Sequence, residues 1–138
     1  MTLPMFPLNT DGIDVAGKDI IIERLNITNF DDAVTVKALN TGYKYSQCSQ
    51  NITVRDCIVN FGVGMTIGSV TPTDQYSCVN NITFENHEFH HPFKAIYIKT
   101  NPGETGSMAP GSGGSITNVH YKNIIVHRAL WWPIYIGP

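Results

Sequence analysis

The chain repeats itself. Residues 20–37, 52–68, 82–99 and 119–137 share one pattern. Each opens on a short apolar–polar alternation: Ile20-Ile21-Ile22, Ile52-Thr53-Val54, Ile82-Thr83-Phe84 and Val119-His120-Tyr121. Each closes on another: Val34-Thr35-Val36-Lys37, Met65-Thr66-Ile67-Gly68, Ile96-Tyr97-Ile98-Lys99 and Ile134-Tyr135-Ile136-Gly137. A further closing strand, Ile13-Asp14-Val15, precedes them, so closing strands recur at spacings of 21, 31, 31 and 38 residues. A unit this short cannot bury its apolar face alone, so such units stack.

The strands are short and rich in Ile and Val, no segment carries a period of 3.6, and Gly and Asn punctuate the turns. These features predict an all-β fold, a right-handed parallel β-helix of about four to five coils, with rungs about 4.8 Å apart. Asp19, Asn51, Asn81 and Asn118 each stand just before an opening strand and are expected to stack as a hydrogen-bonded ladder. Cys48 and Cys78 each lie three residues before a ladder Asn, which places them on adjacent rungs. In-register Cβ atoms about 4.8 Å apart are wider than the ~3.8 Å a disulfide prefers, so free thiols and a bridge both stay open.

Charged residues make up 14% of the chain, below the roughly 25% of ordinary domains. Stacked Asn, Thr and Ser on the flanks of a solenoid account for that. A net charge of −2 with no basic run argues against nucleic acid, and no apolar stretch is long enough to span a membrane. Residues 1–138 are expected to form one partial β-helix domain from the middle of a larger protein, and to act as a monomer. The start at Met1-Thr2-Leu3-Pro4 lacks the charged and apolar parts of a signal peptide. Asn26, Asn51 and Asn81 head Asn-x-Thr sequons that fit a secreted glycoprotein, and Asn26 has the most room for a glycan.

If Ile13, Val34, Met65, Ile96 and Ile134 point inward, the residues two places earlier form one column: Asp11, Asp32, Val63, Lys94 and Trp132. Asp31 adjoins Asp32, so three carboxylates converge on successive rungs. Charges this close resist joint ionisation, and one shared proton is expected near neutral pH. An acid with a pair of bases around a water is what inverting glycoside hydrolysis requires, with acid and base roughly 6.5–9.5 Å apart. Thr35, Thr66, Tyr97 and Tyr135, then Lys37 and Lys99, are expected to face outward beside the carboxylates. Lysines there suit an anionic sugar polymer, and tyrosines can stack on sugar rings. The competing reading leaves the aspartates as turn residues.

The residues also carry a resemblance. Asn9-Thr10-Asp11-Gly12-Ile13-Asp14 resembles the Asn-Thr-Asp motif of glycoside hydrolase family 28, the polygalacturonases and rhamnogalacturonases. Asp31-Asp32-Ala33-Val34-Thr35-Val36-Lys37 is similar to that family's paired-aspartate strand. Gly62-Val63-Gly64 resembles its Gly-His-Gly, and Tyr97-Ile98-Lys99 its Arg-Ile-Lys. The four motifs occur in the family's order over nearly the whole chain, and the family's fold is a right-handed parallel β-helix. The resemblance implies that Asp31 is the general acid, that Asp11 and Asp32 activate water, and that Lys99 binds a substrate carboxylate; the outward column of the repeat adds Tyr97 and Lys37 as substrate-binding positions. The resemblance also implies action on pectic polysaccharide outside the cell with no cofactor and no metal.

The departures are as informative. Val63 stands where the family has histidine and Tyr97 where it has arginine, so bidentate recognition of a carboxylate is lost. Ala33 replaces the cysteine that usually follows the aspartates, which leaves Cys57 without its family partner. The ending Trp132-Pro133-Ile134-Tyr135-Ile136-Gly137-Pro138 resembles that of a divergent branch. A carbohydrate-binding β-helix that has lost catalysis, or an inactive fragment, are the alternatives. Three other candidates carry less. His87, Glu88, His90 and His91 align with wall and turn positions of the preceding coil, so no metal site is expected. The glycine-rich residues 102–115 read as a loop bordering the cleft, and Trp131 and Trp132 as either a sugar platform or buried end residues.

Overall fold

Alternating short strands and left-handed corners generate the architecture. The computed structural model describes residues 9–39, 48–70, 77–100 and 113–138. The glycine-rich loop at 101–112 and the chain start therefore lie outside the described residues. Ten strands follow in order: β1 (Ile13–Val15), β2 (Lys18–Glu23), β3 (Asn26–Thr28), β4 (Asp32–Val36), β5 (Ser49–Asn60), β6 (Val63–Val70), β7 (Ser77–His90), β8 (Lys94–Thr100), β9 (Gly114–His127) and β10 (Ile134–Gly137). No helix occurs among the described residues, and none is long and apolar enough to cross a membrane.

Every strand pairing is parallel. One sheet runs β1-β4-β6-β8-β10 and the other β2-β5-β7-β9, with β3 also on β5. The chain alternates between the two sheets and returns each time one place further along, which is a parallel β-helix. The register follows the sequence repeat. Ile13, Val34, Met65, Ile96 and Ile134 are successive partners in one sheet, and Ile20, Ile52, Ile82 and Val119 in the other. Their inward faces make the core, where Val34, Val36, Val54, Val59, Met65, Ile67, Ile82, Phe84 and Phe89 are fully buried. Each such side chain contributes about 1.5–3 kcal/mol of burial.

Corners explain the polar periodicity. Asp19, Asn51, Asn81 and Asn118 all hold positive φ, between 53° and 58°, a conformation that Asn and Asp tolerate better than other side chains. Asn51 Nδ2 donates to Asp19 Oδ1 at 2.8 Å and Asn81 Nδ2 to Asn51 Oδ1 at 2.9 Å, as the sequence predicts. Asn118 departs from the expectation: its Nδ2 donates to Asn80 Oδ1 at 2.9 Å, which also accepts from Thr117 Oγ1. A second left-handed corner at Arg24, Asp56, Asn86 and Asn123 carries its own ladder, Asn86 to Asp56 and Asn123 to Asn86.

The open question of the cysteines is resolved as a bridge between Cys48 and Cys78, with Cα atoms 4.5 Å apart. Cys48 lies one residue before β5 begins, outside the ladder that holds strands at full rung spacing, so the Cα atoms approach within disulfide range. Cys57 is free and buried, its thiol pushed up by desolvation. A small-residue column, Gly12, Ala33, Gly64 and Ala95, runs up the corner beside the closing sheet. A Cβ on Gly64 would meet Ala95 O at 2.2 Å and the Phe89 ring at 2.5 Å, so nothing larger than hydrogen fits.

Candidate active site

The turn entering β4 is tied down from three rungs. Asn29 Nδ2 donates to Asp32 O at 2.8 Å and to Thr10 O at 3.1 Å. Gly12 N–H also donates to Asp32 O, and Val63 N–H to Asp31 O, each at 2.8 Å. Gly62, with φ of +67°, lets this happen: a Cβ there would sit 2.5 Å from Asn29 Oδ1 and 2.7 Å from Asp31 O. The backbone carrying both aspartates is thus fixed by neighbours far apart in sequence.

Asp11, Asp31 and Asp32 meet. One carboxylate oxygen from each lies within 4.8 Å of the other two. That is tighter than the roughly 6.5–9.5 Å expected for an inverting acid–base pair, because all three project from one corner of two adjacent rungs. Asp31 is half-buried and oriented by two backbone donors, Asn9 N–H to Oδ2 at 3.0 Å and Asp32 N–H to Oδ1 at 2.9 Å. Asp32 is fully buried. Its Oδ1 accepts from Thr66 Oγ1 at 2.7 Å and its Oδ2 from Lys99 Nζ at 2.5 Å. Burial alone would lower the Lys99 ammonium, but the hydrogen bond and charge of Asp32 outweigh it and hold it above its usual value. Asp11 is the carboxyl raised above the ordinary range, by desolvation first and then by the charges of Asp31, Asp14 and Asp32, with Lys37 opposing.

The remaining predicted residues lie around this centre. Lys99 is engaged with Asp32, and Lys37 Nζ is 3.4 Å from Asp14 Oδ2. Val63 pairs with Asp32 on one side and Lys94 on the other, as the column requires. Thr35 and Thr66, expected to face outward, are fully buried, and Tyr97 is 9% exposed. They do lie in the outward column, where longer side chains such as Lys99 close over them. Trp131 and Trp132 stack at 4.6 Å, Trp132 stacks on Tyr135 at 5.2 Å, and both indoles stay about half exposed, not buried at the strand end.

Sequence reasoning missed several contributors. Asn29 and Thr66 bind Asp32 through contacts that no motif encodes. Lys94 was legible only as a column member, yet its Nζ lies 3.7 Å from the Tyr97 ring centroid and 4.4 Å from that of Tyr135. Away from the groove, Glu88 Oε1 lies 3.2 Å from His90 Nε2 and 3.1 Å from His127 Nε2, with the imidazoles stacked at 5.0 Å. His127 was not among the residues singled out. His87 is buried instead, its Nε2 on Val54 O at 3.1 Å.

Comparison with known proteins bears on these motifs together. The family model described as glycosyl hydrolases family 28 matches residues 5–137. This chain belongs to glycosyl hydrolase family 28. An exopolygalacturonase of Cochliobolus carbonum is 31% identical over 125 residues, 86% of this chain and 26% of that protein. "Probable exopolygalacturonase C" of Aspergillus terreus is 33% identical over 95% of this chain and 27% of its own length. The alpha-L-rhamnosidase rgxB of Aspergillus niger is 28% identical over 77% of this chain and 23% of its own. The chain thus spans about a fifth to a quarter of the curated relatives it matches. No solved structure matches it.

Proposed function

We propose that this chain carries the catalytic strip of a secreted, monomeric glycoside hydrolase acting on pectic polysaccharide, with Asp11, Asp31 and Asp32 performing the chemistry. The observation that carries the reading is the convergence of three carboxylates within 4.8 Å of one another in a family 28 chain. Asp31, fixed by two N–H donors, protonates the glycosidic oxygen as the bond to the anomeric carbon breaks. Asp11 takes the proton of the water that attacks that carbon, and Asp32, buried behind it, completes the water-activating pair. Lys99 Nζ and Thr66 Oγ1 hold the Asp32 carboxylate in place. The resemblance implies attack from the face opposite the leaving group and inversion of the anomeric centre, whereas carboxylates within 4.8 Å come nearer the roughly 5 Å spacing of retaining enzymes, so the product anomers decide between the two.

The raised carboxyl of Asp11 supports a second reading, in which Asp11 is the acid and Asp31 joins Asp32 as base. One experiment separates the two. Asp31→Asn and Asp11→Asn are each assayed on polygalacturonate, xylogalacturonan and rhamnogalacturonan, then on an aryl glycoside whose leaving group needs no protonation. Loss of the acid lowers polymer turnover by roughly 10²–10⁴-fold but spares the aryl substrate; loss of a base impairs both. Product anomers read directly by proton NMR test inversion. Full activity of both variants on polymer would remove Asp11 and Asp31 from the chemistry, and wild-type protein with no activity on any of the three polymers would end the hydrolase reading in favour of a carbohydrate-binding β-helix.

A further inference from the structure

Lys94 is the unusual cation of this groove. Ala95 N–H and Ile96 N–H both donate to Pro133 O, each at 3.0 Å. At this end of β8 the Lys94 side chain reaches the ring of Tyr97, three residues on. Its ammonium then rests 3.7 Å from the Tyr97 centroid, 4.4 Å from Tyr135 and 5.5 Å from Trp131. Among the described residues no hydrogen bond or ion pair reaches Lys94 Nζ. The nearby carboxylate of Asp32 is already satisfied by Lys99 and Thr66. Desolvation, then the charge of Lys99, lowers the Lys94 pKa, so an added anion would be welcome there.

The surroundings specify which anion. Trp131, Trp132 and Tyr135 stack in sequence and extend the ring surface beside the ammonium. Flat aromatic surface suits the C–H face of a pyranose, and the ammonium suits a carboxylate. A neutral sugar would use only the rings, and an inorganic anion only the charge. A uronic acid residue uses both.

We propose that Lys94, with Tyr97, Tyr135 and Trp132, forms a subsite for an acidic sugar residue two rungs from the Asp32 carboxylate. This rests on the reading of the groove as a polysaccharide site. It also accounts for Tyr97, which gives up the family's guanidinium at its own position and instead cradles a cation supplied three residues earlier.

The test is binding, in an Asp31→Asn background that prevents turnover. Calorimetric titration compares a short oligogalacturonate with its fully methyl-esterified counterpart. The background protein should prefer the acid by about tenfold, a typical yield for one charge-assisted contact. Lys94→Met keeps the stem over the rings and should abolish that preference while leaving ester affinity within about twofold; Lys94→Arg should restore it. Absence of a preference in the background protein, or equal loss of both ligands in Lys94→Met, overturns the proposal. Failure of the hydrolase reading appears separately, as wild-type protein that releases no reducing ends from any pectic polymer yet keeps the acid-over-ester preference.

Discussion

Replacing Lys99 by Met should strand a buried charge. Asp32 is 0% exposed and Lys99 side-chain exposure is 23%, so solvent can do little to screen what is left. Breaking a buried pair by removing one partner typically costs about 3–5 kcal/mol, because the survivor keeps its desolvation penalty without its compensation. Thr66 Oγ1 still donates to Asp32 at 2.7 Å, which places the expected loss near the lower end, about 3 kcal/mol at neutral pH. The stranded carboxylate can escape by taking up a proton, so in the variant its folded-state pKa moves above the ordinary carboxylate value. The folded state then binds more protons than the unfolded one, and stability falls as pH rises through that window. Denaturant titration at pH 7 and pH 5 should show the deficit shrinking on acidification. In an Asp32→Asn background the same Lys99→Met change should cost under about 1 kcal/mol, since no charge is stranded. A loss of similar size in both backgrounds, independent of pH, would refute the reasoning. A variant of wild-type stability whose only defect is a raised KM would return Lys99 to the role suggested by its motif, that of holding a substrate carboxylate.

Two further outcomes test the fold. His87, 1% exposed between Phe84 and Phe89, has its imidazole pushed down to about 4 by burial. The unfolded chain therefore binds a proton between pH 6.5 and 4 that the folded one refuses, so stability should fall as pH drops through that window, by about 3 kcal/mol in all. His87→Leu should flatten that slope in thermal melts taken from pH 7 to pH 4; an unchanged slope would show that His87 is not its source. The Cys48–Cys78 bridge closes a loop with a sequence separation of 30, and its reduction should cost about 3–4 kcal/mol by loop entropy. Denaturation midpoints with and without reductant check it, with Cys48→Ser as a reductant-insensitive control.

What the sequence determined by itself is the lattice. Inward Ile and Val recurring at a fixed place in each repeat can be buried in one register only, because a slip of one residue turns every side chain to the other face. That logic put Asp11, Asp31 and Asp32 on neighbouring rungs, paired Asp32 with Val63 and Val63 with Lys94, and stacked Asn51 on Asn81. What only the tertiary structure decided is where side chains reach from those lattice points. Lys99 crosses 67 residues of sequence to Asp32, Asn118 selects Asn80 instead of Asn81, and Thr66 is roofed over although its position faces outward. Cys48 and Cys78 bond where the ladder between β5 and β7 has not yet begun, and the Lys94 ammonium lies over the ring of Tyr97, three residues on. A repeat period fixes Cα positions along the solenoid, whereas a long or corner side chain chooses among several rungs by packing and hydrogen bonding that no period encodes.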